Sequence, residues 1–148
     1  MNDVDILKKI EKKVLWLACW MIHNANHIRE NQDGLKVGGH QASSASIVSI
    51  MTALYFNILR PEDRVAVKPH ASPVFHAIQY LSGLQTKEKI ENFRGFGGAQ
   101  SYPSRTKDVD DVDISTGSVG LGVAMTSFIS LIQDYIARKQ FYKNKPLG

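Results

Sequence analysis

The chain has 148 residues, of which 43% are hydrophobic, and its formal net charge is +4. This size and composition fit one globular domain with an ordinary core, rather than a disordered tail or two domains. A single cysteine, Cys19, excludes an internal disulfide, and its apolar neighbours predict a buried, inert thiol. The sequence has no secretory leader and no apolar run long enough to cross a bilayer, which predicts a cytoplasmic protein with no membrane partner.

Groups of basic residues lie near the two ends of the sequence, and a group of acidic residues lies between them. The basic groups are Lys8, Lys9, Lys12 and Lys13 near the start and Arg138, Lys139, Lys143 and Lys145 near the end, and the acidic group is Asp108, Asp110, Asp111 and Asp113. A basic face with interleaved aromatic residues, which is typical of nucleic-acid binding, is absent. We therefore interpret the basic ends as solvated helix faces and expect no nucleic-acid partner.

Apolar residues recur at helical spacing between Val4 and Arg29, which predicts an amphipathic first helix. His23 and His27 lie four residues apart on this helix. Because neither has an acidic or cysteine partner in the pattern, they are interpreted as surface residues and no metal site is predicted. The segment Asn31–Gly34 should end the helix.

Three elements are predicted in the middle of the chain. From Ala42 to Ile58 a helix is expected that is apolar almost all round and therefore buried. Arg64–Lys68 is short, alternating and β-branched, which predicts a strand. Ser72 as N-cap, Pro73 at the first helical position and Gly83 just past the end predict a helix over about 73–82.

Two further helices complete the prediction. Thr86 can cap a short helix that runs through Phe93. The segment Arg94–Gly122 is too long for an ordinary connection, and long ordered loops tend to be functional. A last helix should begin between Val119 and Leu121. Its inner side is expected to carry Ala124, Met125, Phe128, Leu131, Ile132, Tyr135 and Ile136.

Three short motifs stand in this order along the chain: Gly38–Ser44, Lys68–Pro73 and Ser115–Gly122. The third has the spacing G-x-x-G-x-G, which reverses the dinucleotide fingerprint and does not follow a clear strand, so the pattern argues against a nicotinamide site. Glycines at a helix start serve either tight packing or close approach of a ligand. His40 and His70 each follow a glycine or proline on a loop, where a functional role is one alternative to packing. His76 lies within a helix and is predicted to be a hydrogen-bonded packing residue.

Together the three motifs resemble the start of the diphosphate-binding domain of thiamine-diphosphate enzymes of the transketolase and homodimeric pyruvate dehydrogenase type. The resemblance covers about residues 35–135. It implies an α/β fold, of which residues 1–148 would be a single partial domain, dominated by helices and truncated before most of its parallel sheet.

The resemblance also implies roles for individual residues. His40 and His70 would be catalytic groups that hydrogen-bond and transfer protons around the substrate. Main-chain atoms of the glycine loop would contact the cofactor, and Val119 would support its thiazolium. Ser43 and Tyr102 would bind substrate. The cofactor-binding residues implied are Gly117, Val119, Gly120, Leu121 and Gly122.

The cofactors implied are thiamine diphosphate and Mg²⁺. The cofactor acts as an electron sink for a carbanion formed at a carbonyl carbon. The G-D-G segment that holds the metal and the diphosphate in this family does not occur in the sequence. We expect the metal ligands to lie beyond Gly148, and a catalytic glutamate to come from another domain of a homodimer.

Within the family, the residues 39–46 and 68–73 look more like the decarboxylating subunit of pyruvate dehydrogenase than a transketolase. The first alternative implies a 2-oxo acid substrate and a dihydrolipoyl acyltransferase partner. The second implies transfer of two-carbon ketol units between sugar phosphates. A third alternative, from a different class, is a non-catalytic interaction module that keeps the fold without the cofactor.

Overall fold

The protein is described by a computed structural model that covers residues 3–30 and 34–141. In these ranges the α-helices are α1 (Asp3–His23), α2 (Gln41–Ala45), α3 (Val48–Ala53), α4 (Ser72–Leu81), α5 (Lys87–Glu91) and α6 (Leu121–Arg138). Two π-helical turns, Asn24–Ile28 and Leu54–Ile58, and one 3-10 turn, Pro69–Ala71, extend or precede them. The predicted helix break at residues 31–33 and the basic residues Lys143 and Lys145 lie outside the described ranges.

The core is built around α4, whose first eight residues are all buried. Helix α1 packs across it and contributes Val14, Ala18 and Met21, each with no exposed surface. Phe93 is likewise fully buried beside α4. Burial of this kind contributes roughly 1.5–3 kcal/mol for each large apolar side chain, which makes α4 the element that positions the loops on either side of it.

The predicted amphipathic first helix is confirmed, because the apolar stripe of α1 is the face that packs on α4. Cys19 is half-buried rather than fully buried, since it lies beside that stripe and not on it. His23 and His27 are exposed, and their rings lie tilted against each other with centroids 5.0 Å apart.

Of the predicted helix signals around α4 and α5, the glycine stop and the threonine cap are confirmed. Pro73 is the second and not the first residue of α4, and α5 ends at Glu91 instead of running through Phe93. Gly83 ends α4 with φ +76°, and the Thr86 side chain accepts a hydrogen bond from the backbone N–H of Lys89 at 3.3 Å. Ser72 is not an N-cap: it is the first residue of α4, and its buried hydroxyl has no hydrogen-bond partner. The reason is that the 3-10 turn Pro69–Ala71 runs directly into α4, so that Ala71 occupies the capping position.

The predicted dominance of helices is confirmed, but the predicted strand Arg64–Lys68 is wrong, since none of the residues described forms a β-strand. This segment is extended, but no second strand lies beside it to complete a hydrogen-bonded ladder. The N–H of Val65 instead donates to the Asp113 carboxylate at 2.9 Å. The described part of the chain is therefore a helical assembly, and the parallel sheet implied by the resemblance is not found in it.

The single buried helix predicted over Ala42–Ile58 is also corrected. Helix α2 ends at Ala45, where the Ser46 hydroxyl donates to the Ser43 carbonyl at 2.9 Å, and α3 begins at Val48. Such local bonds of serine compete with the helical pattern, which explains the break. Only one face of α3 is buried, and Ile50 is 62% exposed.

Helix α6 begins at Leu121 as predicted, but the expected inner side is wrong. None of its residues is buried, and the apolar side chains left exposed include Phe128, Leu131, Ile132 and Tyr135, each more than half exposed. The physical reason is that no described element packs on this face. The apolar residues do lie on a helix as the pattern predicts, but a local pattern does not determine what packs against them.

We therefore expect the isolated chain to associate with itself, because contiguous apolar patches on soluble monomers rarely exceed a few hundred Å². Light scattering across a dilution series should show association, and a hydrophobic dye should bind. The double variant F128S/L131S should weaken both signals, since neither side chain supports the core. The matched control D134S changes an exposed polar residue of the same helix and should leave them unchanged. A sharp monomer that binds no dye would contradict this prediction.

Within residues 3–30 and 34–141, the structure contains no helix with the length and hydrophobicity needed to cross a membrane.

Candidate functional site

The loop that carries His40 is hydrogen-bonded to the π-helical turn Asn24–Ile28, which follows α1. The N–H of Gly38 donates to the Asn26 side chain at 2.6 Å, and the Asn26 amide donates to the Gly39 carbonyl at 3.2 Å. A Cβ at Gly38 would lie 2.5 Å from the Ile22 carbonyl oxygen, and Gly39 has φ +85°, so both positions require glycine. His40 follows as the residue before α2, with an exposed side chain.

A cleft of about 640 Å³ brings His40 and His70 together. Gly38, Gly39 and Ser43 of the first motif line it together with Pro69 of the 3-10 turn Pro69–Ala71. The imidazoles of His40 and His70 make no hydrogen bond within the described residues. Both side chains are therefore available to a ligand.

A second cavity, of about 580 Å³, is lined by the glycine loop and by Tyr102. Gly117 packs against the Tyr102 ring, because a Cβ at Gly117 would lie 2.9 Å from that ring. Gly120 has φ +85°, and the Val119 side chain is 92% exposed. Of the predicted loop residues, Gly117, Val119, Gly120 and Gly122 line this cavity, whereas Leu121 begins α6 and does not.

The main chain of the glycine loop is open to a ligand. The backbone N–H groups of residues 117–120 donate to no acceptor in the described part of the chain. The loop leads directly into α6, whose N-terminus carries the positive end of a helix dipole. Backbone donors of this kind suit a polar ligand that approaches closely.

His70 lies between the two cavities. Together with Pro69 it lines both the cleft that contains His40 and the cavity that contains the glycine loop. The three motifs, which are separated by up to 84 positions between Gly38 and Gly122, are thus contiguous in space. The sequence predicts that these motifs act together, and the geometry is consistent with that.

The long loop after α5 is held in place by a buried histidine. His76 of α4 has no exposed surface, and its Nδ1 lies 2.6 Å from an Asp110 carboxylate oxygen. Its Nε2 lies 2.7 Å from the Gln100 carbonyl oxygen. Both ring nitrogens thus lie within hydrogen-bonding distance of oxygen atoms of the loop, which fixes the ring and the loop relative to each other. The predicted hydrogen-bonded packing role of His76 is confirmed.

Further hydrogen bonds complete this network. The Gln85 amide donates to Asp110 at 2.9 Å. The Asp108 carboxylate accepts from the backbone N–H groups of Gln100 and Ser104 at 2.9 and 2.8 Å. His76, Asp108 and Asp110 place potential ligand atoms within 4.8 Å of one another. Because most of these atoms already have hydrogen-bond partners in the chain, we assign the cluster to anchoring the loop and not to a metal.

Arg94 is a site residue that the sequence-based prediction did not identify. It lines the cleft beside His40 and His70, and its backbone has φ +62°, a conformation that few residues other than glycine adopt. Its guanidinium lies 5.5 Å from the centre of the Phe93 ring. Burial lowers the pKa of this guanidinium, and the neighbouring Tyr102 opposes that effect. The one signal in the sequence that could have identified Arg94 is its position as a charged residue at the start of a glycine-rich loop.

No known protein-family profile matches the sequence. The sequence is, however, similar to individual curated proteins. The chain is 30% identical to the pyruvate dehydrogenase E1 component of Mycobacterium tuberculosis over 132 residues, which is 82% of this chain and 14% of the relative. It is 30% identical to that of Pseudomonas aeruginosa over 149 residues, covering 95% of this chain and 16% of the relative.

The E1 component of Escherichia coli K12 is 27% identical over 130 residues, with 82% of this chain and 14% of the relative covered. The chain thus spans about one seventh of the length of the curated relatives it matches. Over most of its own length, this chain is therefore similar to a short part of pyruvate dehydrogenase E1 components.

Proposed function

We propose that this chain forms one wall of the active site of a thiamine-diphosphate-dependent enzyme of the pyruvate dehydrogenase E1 type. The complete protein would decarboxylate a 2-oxo acid and pass the acyl group to a lipoyl carrier. The observation that carries the proposal is the position of His70, which lines both the His40 cleft and the glycine-loop cavity. The similarity to E1 components supports it.

The glycine-loop cavity fits part of the cofactor. The unpaired backbone groups of residues 117–120 suit the polar edge of an aminopyrimidine, and the exposed Val119 offers an apolar surface to a thiazolium. When bound, thiamine diphosphate supplies an electron sink for the carbanion formed at a carbonyl carbon. The role of this chain would be to orient the cofactor and to exclude water on one side.

The two exposed histidines would transfer protons to and from the substrate. His40 and His70 are unpaired within the described residues and face one cleft, so either imidazole can donate a proton to a developing alkoxide. Ser43 lies in the same cleft and Tyr102 in the adjoining cavity, where both would contact the substrate. We propose these roles by the chemistry of the side chains and the shape of the two cavities.

The remaining parts of the site would come from elsewhere. The sequence contains no G-D-G segment, and the carboxylates beside His76 are engaged in anchoring the loop. We therefore propose that Mg²⁺ and the diphosphate are held by residues outside this chain. Homodimerisation, a dihydrolipoyl acyltransferase partner and a cytoplasmic location belong to the same proposal for the complete protein.

The 148-residue chain alone should consequently bind thiamine diphosphate with Mg²⁺ weakly or not at all. The diphosphate is the most strongly charged group of the cofactor, and without its metal ligands it would have no paired anchor. Calorimetric titration of the isolated chain tests this, with the complete protein titrated under the same conditions as the control. Micromolar or tighter binding that depends on Mg²⁺ would show that the chain holds the diphosphate itself.

The reaction is tested by giving the complete protein two kinds of substrate, each with thiamine diphosphate and Mg²⁺. Release of CO₂ from pyruvate, measured with an artificial electron acceptor, is the result expected. Ketol transfer between sugar phosphates without decarboxylation would replace the proposal by a transketolase. Absence of both reactions in a folded protein would favour the non-catalytic interaction module.

A further inference from the structure

The cleft that contains His40 and His70 is strongly biased towards positive charge. Arg94 and Lys36 line it in addition to the two histidines, and none of the described residues that line it carries a carboxylate. Clefts lined by one sign of charge attract ligands of the opposite sign. The cleft is therefore suited to a small anion.

The Arg94 guanidinium is held in a fixed position at this cleft. The left-handed backbone of Arg94 is strained, and such strain persists where the surrounding structure fixes it. Nη1 donates a hydrogen bond to the Val37 carbonyl oxygen, 57 positions away in the chain. The guanidinium also lies against Gly39, where a Cβ would come within 3.3 Å of Nη1. Glycine at position 39 thus makes room for the guanidinium.

This guanidinium has no anionic partner in the described part of the protein. It forms no ion pair there, and its one side-chain hydrogen bond goes to the Val37 carbonyl. The other N–H donors of the planar guanidinium fork remain available, and that fork matches a carboxylate with two parallel hydrogen bonds. A positioned guanidinium with unused donors, beside two imidazoles that make no hydrogen bond within the described residues, is suited to binding an anion.

We propose that Arg94 binds the carboxylate of the 2-oxo acid substrate in the cleft that contains His40 and His70. This inference rests on the proposed function. Arg94 would determine affinity rather than rate, because the carboxylate it binds leaves as CO₂. An ion pair with that carboxylate stabilises the bound substrate at least as much as the transition state, so its loss weakens binding without slowing the chemical step.

Two arms test the proposal in the complete protein. In the first, pyruvate, acetate and inorganic phosphate are titrated separately at constant ionic strength while the NMR signals of the Arg94 side chain and of the His40 and His70 rings are followed. Pyruvate and acetate should shift these signals, and the R94Q variant should bind pyruvate about 10-fold to 100-fold more weakly. The R94K variant keeps the positive charge but not the planar guanidinium, and it should recover only part of the affinity for pyruvate.

The second arm measures steady-state kinetics with pyruvate. The R94Q variant should raise KM by about 10-fold or more while kcat stays within a few-fold of the parent protein. The matched control is R60Q, since Arg60 is exposed and lines neither cavity. Melting temperatures are recorded for each variant, and R94K supplies the comparison where R94Q is poorly folded.

The outcomes separate this inference from the proposed function. Loss of pyruvate binding in R94Q supports the inference even where the complete protein shows no decarboxylation. Decarboxylation with an unchanged KM in R94Q overturns the inference and leaves the proposed function in place. Tighter binding of phosphate than of pyruvate, removed by R94Q, would also overturn it, because the cleft would then recognise a phosphate group.

Discussion

Replacing His70 by alanine in the complete protein should lower turnover by roughly 100-fold to 10,000-fold, because a positioned proton donor typically contributes that factor. The substitution should leave the melting temperature nearly unchanged. His70 is exposed on the 3-10 turn Pro69–Ala71, and its ring makes no hydrogen bond within the residues described. Its loss would therefore remove chemistry and little packing.

Turnover and melting temperature are measured together on H70A and on a matched control, H23A. His23 is an exposed histidine of α1 that lines neither cavity, and it should behave as the parent protein does. Activity of H70A within a few-fold of the parent would show that the proton-donor role assigned to His70 is wrong. A large loss of melting temperature would show instead that the 3-10 turn depends on this side chain.

The second large effect is expected at His76, where a leucine should destabilise the fold by about 3–5 kcal/mol. The cost arises because the buried Asp110 carboxylate would lose its contact with the His76 ring, and a buried charged group that loses its partner is strongly destabilising. The same substitution would release the Gln100 carbonyl. The loop that carries Tyr102 should then become mobile.

Unfolding by urea gives the free energy for H76L, for D110N and for the double variant. The two positions share one hydrogen-bonded network, so the double variant should cost less than the sum of the single ones. Hydrogen exchange of residues 94–120 should increase in both single variants. H27A, at an exposed position, is the control and should lie within about 0.5 kcal/mol of the parent. Additive effects with unchanged exchange would exclude an anchoring network.

The sequence predicts elements well where local signals determine them. The apolar stripe of α1, the glycine stop at Gly83 and the Thr86 cap each depend on residues within one or two helical turns, and each is found in the structure. The strand predicted at Arg64–Lys68 is not formed, because a strand also needs a neighbouring strand to pair with. A local sequence pattern does not show whether such a neighbour is present. The single helix predicted over Ala42–Ile58 is interrupted, because local hydrogen bonds of the serine side chains outweigh the apolar pattern.

The candidate site was predictable where a motif carries it. His40, His70 and the glycine loop were recognised from short patterns, and the structure brings them to two adjoining cavities. Arg94 was missed because its position depends on Val37 and Gly39, more than fifty positions away in the chain. A contact of that range leaves no periodic or motif signal in a single sequence.

Hydrogen exchange of the complete protein, with and without thiamine diphosphate and Mg²⁺, tests most directly whether this chain forms one wall of a cofactor site. The account predicts that the cofactor protects the glycine loop, residues 116–122, and the turn Pro69–Ala71, while the outer face of α1 is unaffected. Binding of the cofactor without protection of these two segments, or no binding at all, would contradict it.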